Sequence, residues 1–177
     1  MAGPLNLEQL ITFLLDAPMF GDLDPVELSE VVHIMQVQHL REGQVVFEEG
    51  APGDAWYVVY EGRVEVVVDT GDDDRILVTY GLRSCFGEMA ILDGSPRSAT
   101  VRAASDGTVL KFPRLSFQVL LDEGNLAAFK LVMQMAKVLA ARQRDSTMRI
   151  VEMLRRPTDA DVRRRLAPIV EAASRSE

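Results

Sequence analysis

Residues 86–100 read Phe86-Gly-Glu-Met-Ala-Ile-Leu-Asp-Gly-Ser-Pro-Arg-Ser-Ala-Thr100, a set of residue types suited to a small anion carrying a sugar. Gly87 has no Cβ and lets the backbone approach a ligand closely. A short helical turn begun at Glu88, Met89 and Ala90 aims free backbone N–H groups outward, which favours phosphate. Arg97, directly after Pro96, supplies a planar fork of donors for phosphate oxygens. Glu88 as a carboxylate only accepts, and so suits a sugar hydroxyl. A plainer reading stays open beside this one, in which Glu88 and Arg97 pair with each other across a loop.

Other reactive side chains are sparse. His33 and His39 lie six apart in a β-like run, on one side if extended, but without the H-x-H and carboxylate pattern of a metal-dependent jelly-roll enzyme. They are expected to be ordinary strand histidines, and no metal is expected. Cys85 is the single cysteine; it cannot form an internal disulfide and suits a packing role in a reducing cytoplasm. The acidic stretch Asp69–Asp74 lacks the spacing and closing Glu of a calcium loop and reads as a solvated turn. Trp56 is expected in the core or a pocket wall. No catalytic constellation is visible, so no enzyme is expected.

The elements that must position the 86–100 segment follow from periodicity. Asn6 with Gln9, and Asp24 with Pro25 and Glu27, mark the starts of two short N-terminal helices. From Val31 to Phe112, short β-branched and aromatic runs alternate with glycines at roughly ten-residue spacing, which predicts an antiparallel sandwich, barrel or jelly roll. After Pro113 the helical period returns, over about 114–122 and then from Asn125 to Arg156, before Pro157. The long helix carries a stripe at alternating gaps of three and four: Leu126, Phe129, Met133, Ala136, Ala140, Gln143, Thr147, Ile150 and Leu154. Such seams pair, which predicts a homodimer through residues 125–156. A short helix capped by Thr158 is expected within 157–177.

Composition narrows the class. The 177 residues carry a formal net charge of −8, with 47% hydrophobic and 26% charged residues, as in a soluble globular protein. No apolar run reaches the roughly 20 residues of a membrane helix, and the N-terminus lacks a secretory pattern; a cytoplasmic location is expected. Residues 142–165 hold eight arginines against four acids, a local +4, whereas residues 1–141 hold 10 basic and 21 acidic residues, a local −11. This contrast reads either as a basic tail that touches a partner or as a solvated helix face.

The pattern F-G-E-[LM]-A-[LI] followed by P-R-[AST]-A-[TS] resembles the phosphate-binding cassette of the cyclic nucleotide-binding domain family, spacing included. The flanks are similar too: Arg41-Glu-Gly-Gln-Val-Val-Phe47, Glu49-Gly50, Gly53-Asp54, Trp56-Tyr57 and Gly62-Arg-Val-Glu-Val66. The resemblance covers roughly residues 13–155 and extends to the catabolite activator and protein kinase A regulatory members. It implies an α+β fold: an antiparallel β jelly roll, or double-stranded β-helix, with short N-terminal helices and a long C-terminal helix. Residues 1–124 would form the ligand-binding roll, 125–156 a lid and dimerisation helix, and 157–177 a tail.

By the same resemblance Glu88 would take the ribose 2′-hydroxyl and Gly87 would approach the ribose by its backbone, while Met89 and Ala90 open the turn whose Ala90 N–H faces the cyclic phosphate. Arg97 would pair with the phosphate, Ser98 would add a hydroxyl or N–H bond, and Ala99 completes the motif. Counting along the family's C-terminal helix puts Leu139, Arg142 and Gln143 near the purine. Two departures stand out. The loop Gly81-Leu-Arg-Ser-Cys-Phe86 replaces a usual G-P-G-D-x-F, and Ser98 stands where Ala is frequent in cAMP sites and Thr in cGMP sites. The R-S-A version is similar to that of bacterial catabolite activator-like domains, which implies cAMP rather than cGMP as the regulatory ligand. Only 21 residues follow Arg156, too few for the helix-turn-helix module of those activators, so a sensor with an unidentified downstream protein partner is expected and nucleic acid is not. A DNA-binding regulator with a reduced C-terminus is the alternative.

Overall fold

The computed structural model describes residues 6–69 and 74–155, with residues 69 and 153–155 described by backbone alone. Residues 70–73 of the acidic turn, Arg156 and the 157–177 tail therefore lie outside the described residues. Among the described residues eight strands form two antiparallel four-stranded sheets, and helices precede and follow them. This is the jelly roll that the sequence predicts.

The chain enters through α1 (Leu7–Leu15), capped by Asn6, and a single 3-10 turn (Pro18–Phe20). Helix α2 (Pro25–Val32) has a full capping box: the Asp24 carboxylate accepts from the Glu27 N–H while the Glu27 side chain accepts from the Asp24 N–H. The strand run expected from Val31 instead starts at Gln36. Val31 and Val32 finish α2 and are buried, because tertiary packing outweighs the β preference of a valine pair. His33 is thus the C-cap of α2, with Nδ1 against the Ser29 carbonyl, and not a strand residue. His39 does sit in a strand, with Nδ1 against the Thr108 hydroxyl at 3.1 Å.

The strands are β1 (Gln36–Leu40), β2 (Val45–Phe47), β3 (Ala55–Glu61), β4 (Val64–Asp69), β5 (Asp74–Tyr80), β6 (Cys85–Phe86), β7 (Thr100–Ala103) and β8 (Gly107–Pro113). Their order is β1-β8-β3-β6 in one sheet and β2-β7-β4-β5 in the other. Strand β3 explains its own unbroken apolar run. Ala55, Tyr57 and Val59 face the second sheet, while Trp56 and Val58 face the helices, so both sides of the strand are covered. Trp56 lies in register with Phe112 of β8, and the two rings stack at 4.1 Å.

Helix α3 (Met89–Asp93) lies between β6 and β7; α4 (Arg114–Asp122) and α5 (Leu126–Arg155) follow β8. Asn125 caps α5 through a hydrogen bond from the Ala128 N–H. The compact unit that contains the sheets runs to Val138, and a second begins at Leu139. Within the first, Ala127, Ala128, Leu131 and Met135 of α5 join the helical core with Leu10, Leu14, Phe20, Leu28 and Phe117. Lys130 and Lys137 pair with Glu27 and Asp22. The opposite face of the same turns leaves Leu126, Phe129 and Met133 exposed.

Candidate functional site

The 86–100 segment is held between the sheets and a neighbouring loop. Phe86 is anchored by pairing of β6 with β3 and by stacking on Tyr57 at 5.1 Å. Gly87 follows with φ +76°, and a Cβ there would stand 2.8 Å from Arg97 Nη1 and 3.3 Å from the Phe47 ring. Only glycine fits this close approach. Glu88 is buried and opens α3, its carbonyl accepting from the Ile91 and Leu92 N–H groups. Met89 is half exposed; Ala90 is buried and packs so tightly that a Cβ on Gly53 would fall 2.3 Å from its own. Helix α3 ends at Gly94 in the left-handed conformation. The return limb is pinned by reciprocal backbone bonds, Arg97 N–H to Ala51 O and Gly50 N–H to Arg97 O. Ser98 is exposed and Ala99 is buried at the mouth of β7.

Arg97 is the centre of this arrangement. It is only 3% exposed. Nη1 donates to Gly87 O at 2.8 Å, while Nη2 donates to Ala55 O at 2.6 Å and to Asp54 Oδ1 at 3.1 Å. The guanidinium lies 4.0 Å from the Phe47 ring centroid. Its Nε–H is buried and has no hydrogen-bond partner among the described residues. A buried cation with an unpartnered donor is set to accept an anion, and the glycine cradle beside it leaves backbone close to the same point. An oxyanion is the class of ligand that such a donor set takes.

Burial and the neighbouring Asp54 charge push the Tyr57 phenol up to about 12, so it stays neutral here. For Asp54, burial works to raise the carboxyl, but hydrogen bonds and charge from Lys111 and Arg97 outweigh it and hold it below the ordinary carboxylate range. Sequence reasoning did not assign Asp54, Phe47 or Lys111 to the site. The Gly53-Asp54 pair was visible in the flank; its pairing with Arg97, 43 residues away, was not. Arg142 and Gln143 lie on α5 beyond Val138, in the second unit, Arg142 half-buried and Gln143 exposed. Among the described residues no group of three or more His, Cys, Asp or Glu side chains could hold a metal ion, and no helix is long and apolar enough to cross a membrane.

Residues 37–123 match the family model of the cyclic nucleotide-binding domain. The N-terminal domain of a transcriptional regulator from Streptomyces coelicolor A3(2) is 30% identical, with a TM-score of 0.65, and the match covers 77% of this chain and 94% of that one. The chain belongs to the cyclic nucleotide-binding domain family. A cyclic nucleotide-binding domain from Methylobacillus flagellatus superposes with a TM-score of 0.74 at 25% identity, over 82% of this chain and 85% of that one. A cAMP-dependent protein kinase regulatory subunit from Eremothecium gossypii is 35% identical over 107 residues, 60% of this chain and 22% of the relative. The chain spans about a quarter of the length of the curated relatives it matches. The matched residues include the Gly87–Arg97 cradle.

Proposed function

We propose that the chain is a regulatory cyclic-nucleotide sensor that prefers cAMP, performs no catalytic step, and passes its ligand state along α5. The observation that carries the reading is Arg97, buried, fixed over Phe47 by two carbonyls and a carboxylate, with its buried Nε–H unpartnered among the described residues. The cyclic phosphate would face Arg97 and the Ala90 N–H, the ribose would meet Glu88 and Gly87, and Ser98 would add a polar contact at the rim. The R-S-A sequence and the similarity to a cAMP-dependent kinase regulatory subunit support cAMP.

Transmission has a physical route within the first unit. Ile91 and Leu92 of α3 pack on the same core cluster as Ala127, Leu131 and Met135 of α5. A cassette that closes on phosphate moves α3 and so biases how α5 is seated. The ligand shifts this equilibrium only by its differential affinity for the two arrangements. By the family resemblance the base would meet Arg142 and Gln143, and the exposed stripe of α5 would meet a second copy of the chain.

Calorimetric titration with cAMP and cGMP in parallel tests the reading, first on the chain itself and then on Arg142→Ala and Gln143→Ala. Binding of cAMP with a smaller response to cGMP is expected, and each substitution should change affinity or the cAMP/cGMP ratio by more than about twofold. Binding of neither nucleotide ends the proposal; an effect below twofold moves base recognition elsewhere. The second reading, a DNA-binding regulator, is favoured by the match to the domain of a transcriptional regulator and by the local +4 of residues 142–165. It requires salt-dependent binding to duplex DNA.

A further inference from the structure

Strand β8 carries a lysine where its alternation calls for an apolar residue. Val109 faces the second sheet, Leu110 and Phe112 face the helices, and Lys111 therefore falls on the side of Val109, Tyr57 and Ala55. It lies in register with Tyr57 of β3 and Gln36 of β1. Its Nζ donates to Asp54 Oδ2 at 3.0 Å, while Asp54 Oδ1 accepts from Arg97 Nη2 at 3.1 Å. One carboxylate thus bridges two cations of opposite exposure: the Arg97 side chain is 1% exposed and that of Lys111 25%.

The charge count gives this bridge a consequence. Arg97 with Asp54 alone is a neutral pair, and the carboxylate competes with any anion for the same guanidinium. With Lys111 on the other oxygen the cluster carries +1, and Asp54 is held ionised in an orientation that supports Arg97 without cancelling it. We propose that Lys111 is a positioning residue for anion binding, which occupies the outer oxygen of Asp54 and so leaves the positive charge of Arg97 to the phosphate. The inference rests on Arg97 as the phosphate receptor. The bridge opens on a cleft of about 680 Å³ that Gln36 and Arg114 also line, and the Asp54 side chain is 59% exposed. Solvent screening there limits the effect to several-fold.

The test is calorimetric titration of the full chain with cAMP, combined with thermal melting of the ligand-free protein. Lys111→Met keeps the stem and removes the charge; it should weaken binding about five- to tenfold while leaving the melting temperature nearly unchanged. Lys111→Arg should restore affinity to within about twofold. In an Asp54→Asn background the same Lys111→Met change should alter affinity by less than twofold, because the residue acts through the carboxylate. Affinity of Lys111→Met within twofold of the parent overturns the proposal, as does an equal loss in both backgrounds. A loss that tracks a lowered melting temperature and is not rescued by arginine also overturns it, making Lys111 a structural ion pair. If the parent binds neither cAMP nor cGMP, the receptor role of Arg97 falls and this inference falls with it; binding by the parent with an indifferent Lys111→Met removes only the lysine.

Discussion

Arg97 is held by four groups, Gly87 O ten residues before it and Ala55 O, Asp54 and the Phe47 ring some 40–50 residues before it. Burying a guanidinium is costly unless hydrogen bonds and opposite charge compensate, and here they do so before any ligand arrives. The receptor is pre-organised, so binding does not have to order it. Replacing Arg97 by Ala should weaken cyclic nucleotide binding at least tenfold, since losing one partner of a buried charged contact costs roughly 2–5 kcal/mol and about 1.4 kcal/mol is tenfold. Titration of the variant checks this, with a melting curve to confirm that it folds. Glu88 is 1% exposed and is proposed to take the ribose hydroxyl. The 2′-deoxy analogue should bind distinctly worse, and equal binding would take Glu88 out of the ribose role.

Among the elements, the loop from Gly81 to Phe86 carries a strained residue that is tied to the N-terminal helix. Arg83 has φ +65°, a conformation that disfavours any residue with a Cβ. Its guanidinium pairs with Asp16 at 2.8 Å and lies 5.4 Å from the Phe13 ring, which ties the loop to α1. The ion pair is well exposed, at 38% and 59%, and is worth about 1 kcal/mol or less. The left-handed backbone costs about 1–2 kcal/mol, so strain and latch nearly cancel. Arg83→Gly should therefore be close to neutral in stability, because it relieves the strain as it loses the latch. Arg83→Ala keeps the strain, loses the latch, and should destabilise by about 1 kcal/mol. Denaturant titration of both variants separates them; equal destabilisation would show that the backbone term is negligible.

At the scale of the whole molecule, α5 is the element with two duties. Its Ala127, Ala128, Leu131 and Met135 face completes the helical core, and its Leu126, Phe129 and Met133 face is exposed. Farther along, Met148 and Ile150 are exposed as well, while Thr147 returns its hydroxyl to the Gln143 carbonyl and so needs no partner from another helix. An exposed apolar stripe of this length favours pairing with a second copy. Sedimentation at micromolar concentration should show a dimer, and Phe129→Glu with Met133→Glu should yield a folded monomer. A parent chain that is monomeric with and without cAMP would remove the dimer.

Much of this was legible from local pattern. Helix starts at Asn6, Asp24 and Asn125 follow from side chains that bond to backbone a few residues away, and the cassette is one contiguous stretch whose glycine, carboxylate and arginine carry their chemistry in their types. The stripe of α5 follows from a period of about three and a half, which is a property of the backbone. Tertiary structure decided what those local rules do not contain. Val31 and Val32 are strand formers by type and helical in fact, because the apolar core of α1, α2 and α5 claims them. Asp54 and Lys111 meet only when β8 is laid beside the start of β3, 57 residues apart in the chain. Arg97 reads in sequence as a fork of donors for phosphate oxygens; the fold buries it against Phe47 and two carbonyls, because pairing of β6 with β3 draws the cassette between the sheets. Residue type and spacing therefore determined the local elements and the kind of ligand chemistry, whereas charge balance and burial at the receptor were set by contacts between strands distant in sequence.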